Sequence, residues 1–207
     1  ISLNNAETML KDSLIAKENG FRIFKIKLGH MPEEDLTTVK LIAKHVGPEI
    51  VLRLDINQAY TKEDSLLFIN ALSDLNLNIA LIEQPVKAHL REELAFISNH
   101  SKIPILADES LFNYEDIHKL NQYPNSCLWN IKLAKCGGIS EAKKIMQYAK
   151  ESNVECFMGC MLESSIAVAA AAHFAAAHKN ILHFDLDPPF LFAKDPVKQS
   201  FRLDGPS

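Results

Sequence analysis

The chain has 207 residues, 47% of them hydrophobic, which is enough apolar material for one sizeable core. Its 22 basic and 26 acidic residues give a net charge of −4 without a long basic run, which argues against nucleic acid or an anionic membrane as the main partner. The longest apolar stretch, near residues 166–177, is alanine-rich and too short to span a bilayer, so it predicts a buried helix.

Short apolar runs alternate with amphipathic stretches along the whole chain. Eight runs rich in leucine or β-branched residues predict strands at 1–3, 21–28, 49–56, 78–83, 103–108, 126–133, 154–158 and 181–187. Seven helices are predicted between them, one capped by Thr61, one capped by Ser140, and five at 6–19, 33–46, 89–99, 114–121 and 164–178.

Strands separated by helices indicate a parallel sheet with both faces covered. An open doubly wound sheet would normally carry a glycine-rich first turn for a nucleotide, and the turns after the first two runs, NNAE and GHMPEE, lack one. The pattern therefore favours an α/β fold of the TIM-barrel type with parallel strands, in one domain that covers residues 1–207.

The four cysteines show neither a CxxC pair nor zinc-ligand spacing: Cys127, Cys136, Cys156 and Cys160. We expect free thiols in a reduced core, which fits a cytoplasmic location. The opening ISLNN has neither a methionine nor a signal-like stretch, so we expect a segment of a longer protein.

Charged residues close five of the predicted strands at a regular spacing. They lie 24 to 28 residues apart, which is the length of one strand, one helix and two loops: Lys27, Asp55, Glu83, Asp108 and Lys132. In a barrel the carboxyl ends of all strands share one face, so these residues are predicted to form a ring. Three converging carboxylates repel one another unless a hard cation neutralises them, and all-oxygen ligation suits Mg²⁺, with Mn²⁺ as the nearest alternative.

Lysines are predicted on either side of this metal. Side chains on a strand alternate, so Lys25 and Lys27 point to the same side, into the barrel. Lys132 follows on the sixth predicted strand, which lies across a barrel from the second, so it is expected to face Lys27. Desolvation and mutual repulsion lower the pKa of a lysine, which suits a base working near neutral pH.

The last two strand ends carry further candidates. Asp185 and Asp187 share a face at the end of the eighth predicted strand, and an acidic pair without a nearby basic residue suggests a site for a cationic group, such as a substrate ammonium. Gly159, at the end of the seventh, is predicted to permit close approach of the backbone.

These motifs resemble, in this order, the barrel domain of the enolase superfamily, muconate-lactonising subgroup: KIK, LRLDINQ, IEQP, LADES and NIKLAKCGG. The later segments GCMLES and DLD resemble those of dipeptide epimerases of the L-Ala-D/L-Glu type. The resemblance covers nearly the whole chain and implies a modified (β/α)₇β barrel, which matches the predicted elements. It also implies an N-terminal capping domain, which nothing in this sequence matches.

The resemblance implies a Mg²⁺-dependent isomerase. Asp55, Glu83 and Asp108 would bind the metal, and Lys27 and Lys132 would be the two acid/base catalysts. The reaction would invert the α-carbon of the C-terminal residue of a dipeptide by two-base 1,1-proton transfer through an enediolate. The resemblance suggests that the enzyme acts in the recycling of murein peptides in the cytoplasm. The sequence leaves open whether the protein forms a homo-oligomer.

The resemblance also implies substrate contacts. Lys25 would support the neighbouring lysine and contact the substrate carboxylate, and Asp185 and Asp187 would hold the α-ammonium of the dipeptide. The backbone of one short segment would line the substrate, at Cys160, Met161 and Leu162.

Three other functions stay open at this point. A muconate cycloisomerase or an o-succinylbenzoate synthase would share the metal and the lysines but would have no use for the acidic pair. Schiff-base catalysis through Lys132 would need no metal. A barrel without catalytic activity would bind its ligand and exchange no hydrogen with solvent.

Overall fold

The computed structural model describes residues 1–123, 127–187, 192–195 and 197. The chain divides into two compact units, and the described residues fall into Ile1–Glu109 and Ser110–Leu203. Strands alternate with helices in both units, and neighbouring strands within each unit pair in parallel. The predicted parallel α/β class is therefore confirmed.

The first unit contains four strands and four helices. In chain order they are α1 (Ala6–Glu18), β1 (Ile23–Lys27), α2 (Pro32–Val46), β2 (Val51–Asp55), α3 (Lys62–Ser73), β3 (Ile79–Glu83), α4 (Arg91–His100) and β4 (Ile105–Ala107). The strands are ordered β1-β2-β3-β4. Ile26, Leu54 and Ile82 pair across three of these strands and are fully buried, so they form one apolar layer of the core.

The register of this unit gathers the predicted site residues at one edge. Lys27 pairs with Asp55, and Asp55 pairs with Glu83, so three neighbouring strands end together. Glu83 is also adjacent to Leu106 of β4, which places Asp108 one residue beyond the end of that strand. The carboxyl ends of parallel strands therefore bring these charged residues together, as the regular spacing predicted.

A buried carboxylate fixes the loop that follows β1. Asp35, in the first turn of α2, accepts hydrogen bonds at one oxygen from the backbone N–H groups of Gly29 (2.8 Å) and His30 (3.1 Å) and from the Tyr60 hydroxyl (2.6 Å). Burial, together with Asp35, raises the pKa of Tyr60 well above its ordinary value, so the hydroxyl remains a donor. The loops that follow β1 and β2 are thus tied to each other.

The second unit contains three strands and four helices within its described residues. In chain order they are α5 (Tyr114–Leu120), β5 (Leu128–Ile131), α6 (Leu133–Cys136), α7 (Ile139–Glu151), β6 (Cys156–Met158), α8 (Ser165–Ala176) and β7 (Ile181–Phe184). The strands are ordered β5-β6-β7. None of the described helices is both long enough and apolar enough to cross a membrane.

The prediction of eight strands is wrong for the first of them, since the described residues form seven. Residues 1–3 are not a strand, and Asn5 already caps α1 two residues later. Ile1 does pair, since its amino nitrogen donates to the Lys25 carbonyl (2.6 Å) and its carbonyl accepts from the Lys27 N–H (3.0 Å). One paired residue is too short a contact to count as a strand.

All seven predicted helices are present, α6 was not predicted, and two further points need correction. Thr61 does cap α3, with its side chain accepting from the Asp64 N–H at 3.1 Å. Ser140 is not a cap, because α7 begins one residue earlier and has Gly138 at its N-cap position. The alanine-rich helix α8 is buried along one face, whereas Ile166 on another face is largely exposed. Of the predicted strand 126–133, residue 126 lies outside the described part of the chain.

Candidate active site

Two lysines of β1 meet one carboxylate of β2. The Lys25 ammonium lies 3.1 Å from Asp55 Oδ2, and the Lys27 ammonium lies 2.6 Å from the same oxygen. Lys25 also contacts Glu83 Oε2 at 2.8 Å, and Lys27 contacts Asn57 Oδ1 at 2.9 Å. The prediction that both lysines point to one side is confirmed, since both reach the same oxygen.

The three predicted metal ligands are buried carboxylates that lie close together. Asp55, Glu83 and Asp108 are between 1% and 3% exposed. Burial raises the pKa of Glu83; Lys25 opposes this, and the charges of Asp55 and Asp108 together with a hydrogen bond to the Asp108 side chain raise it further. The group therefore holds more negative charge than its surroundings favour, which is the condition that a bound cation relieves.

The chemistry of this donor set suits a hard divalent cation. All candidate ligand atoms are carboxylate oxygens, which Mg²⁺ prefers. As they stand, however, no three His, Cys, Asp or Glu side chains in the described ranges are arranged to hold a metal ion. The Lys25 ammonium bridges Asp55 and Glu83 instead, so metal binding at these residues would require Lys25 to give up part of this contact. The oxygen chemistry and the burial of the three carboxylates fit a hard divalent cation.

Lys132 lies in a closely packed region of the second unit, next to Asn130 and Gly159. It directly follows β5 and is 7% exposed, and Asn130 beside it is fully buried. Gly159, which follows β6, donates its N–H to the Ile131 carbonyl at 2.9 Å. A Cβ on Gly159 would come within 2.6 Å of Asn130 Oδ1 and 3.0 Å of Lys132 Cε. The predicted close approach of the backbone at Gly159 is confirmed, and its neighbours are Asn130 and Lys132.

Replacing Gly159 with alanine is expected to lower the free energy of unfolding by about 1–3 kcal/mol, because the added methyl group would overpack Asn130. Chemical denaturation would measure the loss. The control is a double-mutant cycle with Asn130→Ala, in which the methyl group meets no amide and should cost less. An equal cost of Gly159→Ala in both backgrounds would show that the contact with Asn130 does not matter.

The acidic pair lies beside the predicted substrate segment of the same unit. Cys160 Sγ donates to the Asp185 carbonyl at 3.0 Å, and the Asp185 N–H donates to the Met158 carbonyl at 2.9 Å. Burial, followed by the charges of Asp185 and Asp187, raises the pKa of the Cys160 thiol. Both carboxylates therefore lie near Cys160, and the thiol is protonated at neutral pH.

Two residues of the substrate segment have exposed side chains, which are Met161 (51% exposed) and Leu162 (69% exposed). The prediction for them concerned the backbone and stays a prediction. None of the four cysteines forms a disulfide, as expected.

Two polar residues of this site received no role from the sequence. Asn57 bonds Lys27, and Gln84, in the IEQP motif, is fully buried beside Glu83. The sequence did offer one sign of their importance, because each is an uncharged polar residue just after a strand that ends in a buried acid. A buried amide at such a position is normally hydrogen-bonded.

Residues 9–205 match the family described as Enolase C-terminal domain-like. The chain is 40% identical over 197 residues to an L-Ala-D/L-Glu epimerase of Clostridium acetobutylicum, which covers 95% of this chain and 55% of that protein. It is also 40% identical over 205 residues to a hydrophobic dipeptide epimerase of Enterococcus faecalis, covering 99% of this chain and 57% of that protein.

Solved structures agree with these similarities. A substrate-liganded complex of the L-Ala-D/L-Glu epimerase from Bacillus subtilis superposes with a TM-score of 0.95 at 37% identity, covering 99% of this chain and 57% of that chain. The dipeptide epimerase from Enterococcus faecalis, in complex with Mg and the dipeptide L-Leu-L-Tyr, gives a TM-score of 0.91 at 41% identity, covering 96% and 56%. The chain thus spans little more than half the length of these relatives.

Proposed function

We propose that this chain, which belongs to the Enolase C-terminal domain-like family, is the catalytic part of a Mg²⁺-dependent dipeptide epimerase. The observation that carries the proposal is the Asp55 carboxylate, which is buried among two further carboxylates and bonded to both lysines of β1. A buried acidic group next to paired amines suits proton removal beside a substrate carboxylate. The relatives named as dipeptide epimerases support this reading.

The metal would be held by Asp55, Glu83 and Asp108. When bound, Mg²⁺ would stabilise the negative charge that develops on the substrate carboxylate as the α-proton leaves. Mg²⁺ is present in solved dipeptide epimerases of Enterococcus faecalis and Cytophaga hutchinsonii, and Mn²⁺ is the alternative on ligand chemistry.

The lysines would carry the protons. Lys27 Nζ, held by Asp55 and Asn57, would remove or return the α-proton on one face of the substrate. Lys132, which is 7% exposed, would deliver or remove the proton on the opposite face. Lys25, bonded to two carboxylates, would orient the substrate carboxylate and help to stabilise its charge.

The acidic pair would select the substrate. Asp185 and Asp187 both act on the Cys160 thiol through their negative charge, and such a pair favours a cationic group. A dipeptide carries a cation at its α-ammonium, and the backbone at Cys160, Met161 and Leu162 would line its chain. A cycloisomerase or an o-succinylbenzoate synthase would have no use for this pair.

The wider setting belongs to the same proposal. Closure of the strands into a (β/α)₇β barrel is supported by the alternation of strands and helices and by the TM-scores above. A location in the cytoplasm is supported by the four cysteines, none of which forms a disulfide. The single domain over residues 1–207 includes positions outside the described residues.

Isotope exchange tests the function directly. In D₂O with Mg²⁺, the α-hydrogen of the C-terminal residue of L-Ala-L-Glu or L-Leu-L-Tyr is expected to be replaced by deuterium while its configuration inverts. Proton NMR and chiral chromatography would follow the two changes.

The matched control is the same dipeptide acetylated at its amino terminus, which lacks the ammonium and should react much more slowly. Retention of all protium across a panel of dipeptides would contradict epimerase activity. Equal reaction of the acetylated and free dipeptides would contradict the role of Asp185 and Asp187.

A further inference from the structure

The segments that follow β2 and β3 contain three residues other than glycine with left-handed backbone. Asn57 has φ 47°, Gln58 has φ 67° and Gln84 has φ 38°. A left-handed backbone is sterically unfavourable for most residues other than glycine. Pro85 follows Gln84 and restricts its backbone further. Such strain persists only where the surrounding contacts over-determine the conformation.

Gln84 has those contacts. It is fully buried, its N–H donates to the Leu106 carbonyl at 2.9 Å, and its carbonyl accepts from the Gln58 N–H at 2.7 Å. Its side-chain amide bonds in two directions, with Nε2 donating to the Val86 carbonyl at 2.9 Å and Oε1 accepting from the Asp108 N–H at 3.0 Å. One residue therefore links the segments that follow β2, β3 and β4.

The bonds of Gln84 connect two of the candidate metal ligands, Glu83 and Asp108. The backbone of Gln84 directly continues from Glu83, and its side chain bonds the backbone N–H of Asp108. Asp108 lies beyond the last residue of β4, so its position depends on contacts outside the regular strand. The Gln84 amide therefore couples the placement of two of the three candidate metal ligands.

We propose that Gln84 is a positioning residue that sets the spacing between the Glu83 and Asp108 carboxylates for the metal. This inference rests on the proposed function, because it takes those two residues as Mg²⁺ ligands. Gln84 itself would not touch the metal or the substrate. Removing a residue that holds a metal ligand in place typically weakens metal binding by about 10–100-fold.

The test is the Mg²⁺ affinity of the full chain carrying Gln84→Asn, measured by titration calorimetry with MgCl₂ alone. Asparagine keeps the amide and tolerates left-handed backbone well, but it is one methylene shorter and cannot hold both of its bonds. We expect Mg²⁺ binding to weaken by about 10–100-fold.

The chain offers a matched control in Gln58→Asn. Gln58 is also left-handed, and its side-chain Oε1 accepts from the Ala88 N–H at 2.9 Å rather than from a candidate ligand. This variant should lower the midpoint of thermal unfolding and leave the Mg²⁺ affinity within about twofold, a change of under about 0.4 kcal/mol. Loss of stability alone therefore does not imitate the expected result.

The outcomes separate the two proposals. If the unchanged chain binds Mg²⁺ and Gln84→Asn binds it equally well, Gln84 is not a positioning residue and the proposed function stands. If the unchanged chain does not bind Mg²⁺, the metal site itself is wrong and the inference about Gln84 is wrong with it. Should Gln84→Asn fail to fold, Gln84→Met keeps the length without an acceptor for the Asp108 N–H, and unchanged Mg²⁺ affinity in that variant would also refute the inference.

Discussion

Replacing Lys132 with alanine is expected to abolish inversion of the α-carbon while hydrogen exchange continues for one of the two enantiomers. A positioned acid or base contributes about 10²–10⁴-fold to a rate. The rate of inversion should therefore fall by at least about 100-fold. Lys27 remains held by Asp55 and Asn57 and can still remove and return a proton on its own face. Proton NMR in D₂O with chiral chromatography would show deuterium entering one enantiomer without formation of the other.

Lys144→Ala is the matched control for this experiment. Lys144 lies on α7 of the same unit, is exposed, and pairs with Glu141 at 2.6 Å, so removing its charge should leave inversion unchanged. Inversion at the normal rate in Lys132→Ala would rule out the two-base scheme. Loss of exchange for both enantiomers, with borohydride trapping of a carbonyl compound on Lys132 in the unchanged chain, would favour Schiff-base catalysis instead.

The part of the site on β1, β2 and β3 was predictable because two simple rules fix it. Side chains alternate along a strand, so Lys25 and Lys27 share a face, and parallel strands end at the same edge, so Asp55 and Glu83 become neighbours. Both rules act through the backbone and need no knowledge of the side-chain contacts. The same rules could not foresee that Lys25 would bridge the two carboxylates.

The role of Gln84, just beyond the end of β3, escaped prediction for a physical reason. Alternation stops where the strand stops, and the left-handed backbone at Gln84 turns its side chain toward Asp108 in a way that no periodicity describes. The polar character of Gln84 was visible in the motif IEQP. Its bonding partners depend on tertiary contacts with β4, which lies more than 20 residues further along the chain.

Two of the wrong predictions share one cause, which is competition between neighbouring elements. The run at residues 1–3 has strand character, but Asn5 caps α1 two residues later, and the pairing with β1 is confined to Ile1. Ser140 has the composition of a cap, but Gly137 ends α6 in a left-handed conformation and Gly138 begins α7 directly after it. In both places the boundary is set by the adjacent helix rather than by the local residue type.

Replacing Asp108 with asparagine is expected to stabilise the metal-free chain and to remove its response to Mg²⁺. Asp108 raises the pKa of the neighbouring Glu83 through its charge, and relief of a repulsion that shifts a pKa by one unit is worth about 1.4 kcal/mol. At a pH above about 8, where Glu83 is ionised as well, the neutral variant should therefore unfold at higher denaturant concentration without metal. Loss of a ligand should weaken Mg²⁺ binding by at least about 100-fold, which is more than the loss of a residue that only positions a ligand. Activity should fall with it.

Asp116→Asn is the control, because it shows whether replacing any buried aspartate with asparagine stabilises the chain. Asp116 accepts from the backbone N–H groups of Phe112 (3.1 Å) and Asn113 (3.3 Å) in a capping box. Asp116→Asn keeps an acceptor oxygen but removes a negative charge from the first turn of α5, so it should lose about 0.3–1 kcal/mol of stability. That loss should be equal with and without Mg²⁺. The unchanged chain should gain about 2.7 kcal/mol when Mg²⁺ is at one hundred times its dissociation constant, whereas Asp108→Asn should gain almost nothing. A metal-free Asp108→Asn chain that is less stable than the unchanged one would mean that the Asp108 carboxylate holds the fold together, and the case for a cation among these three acids would fail.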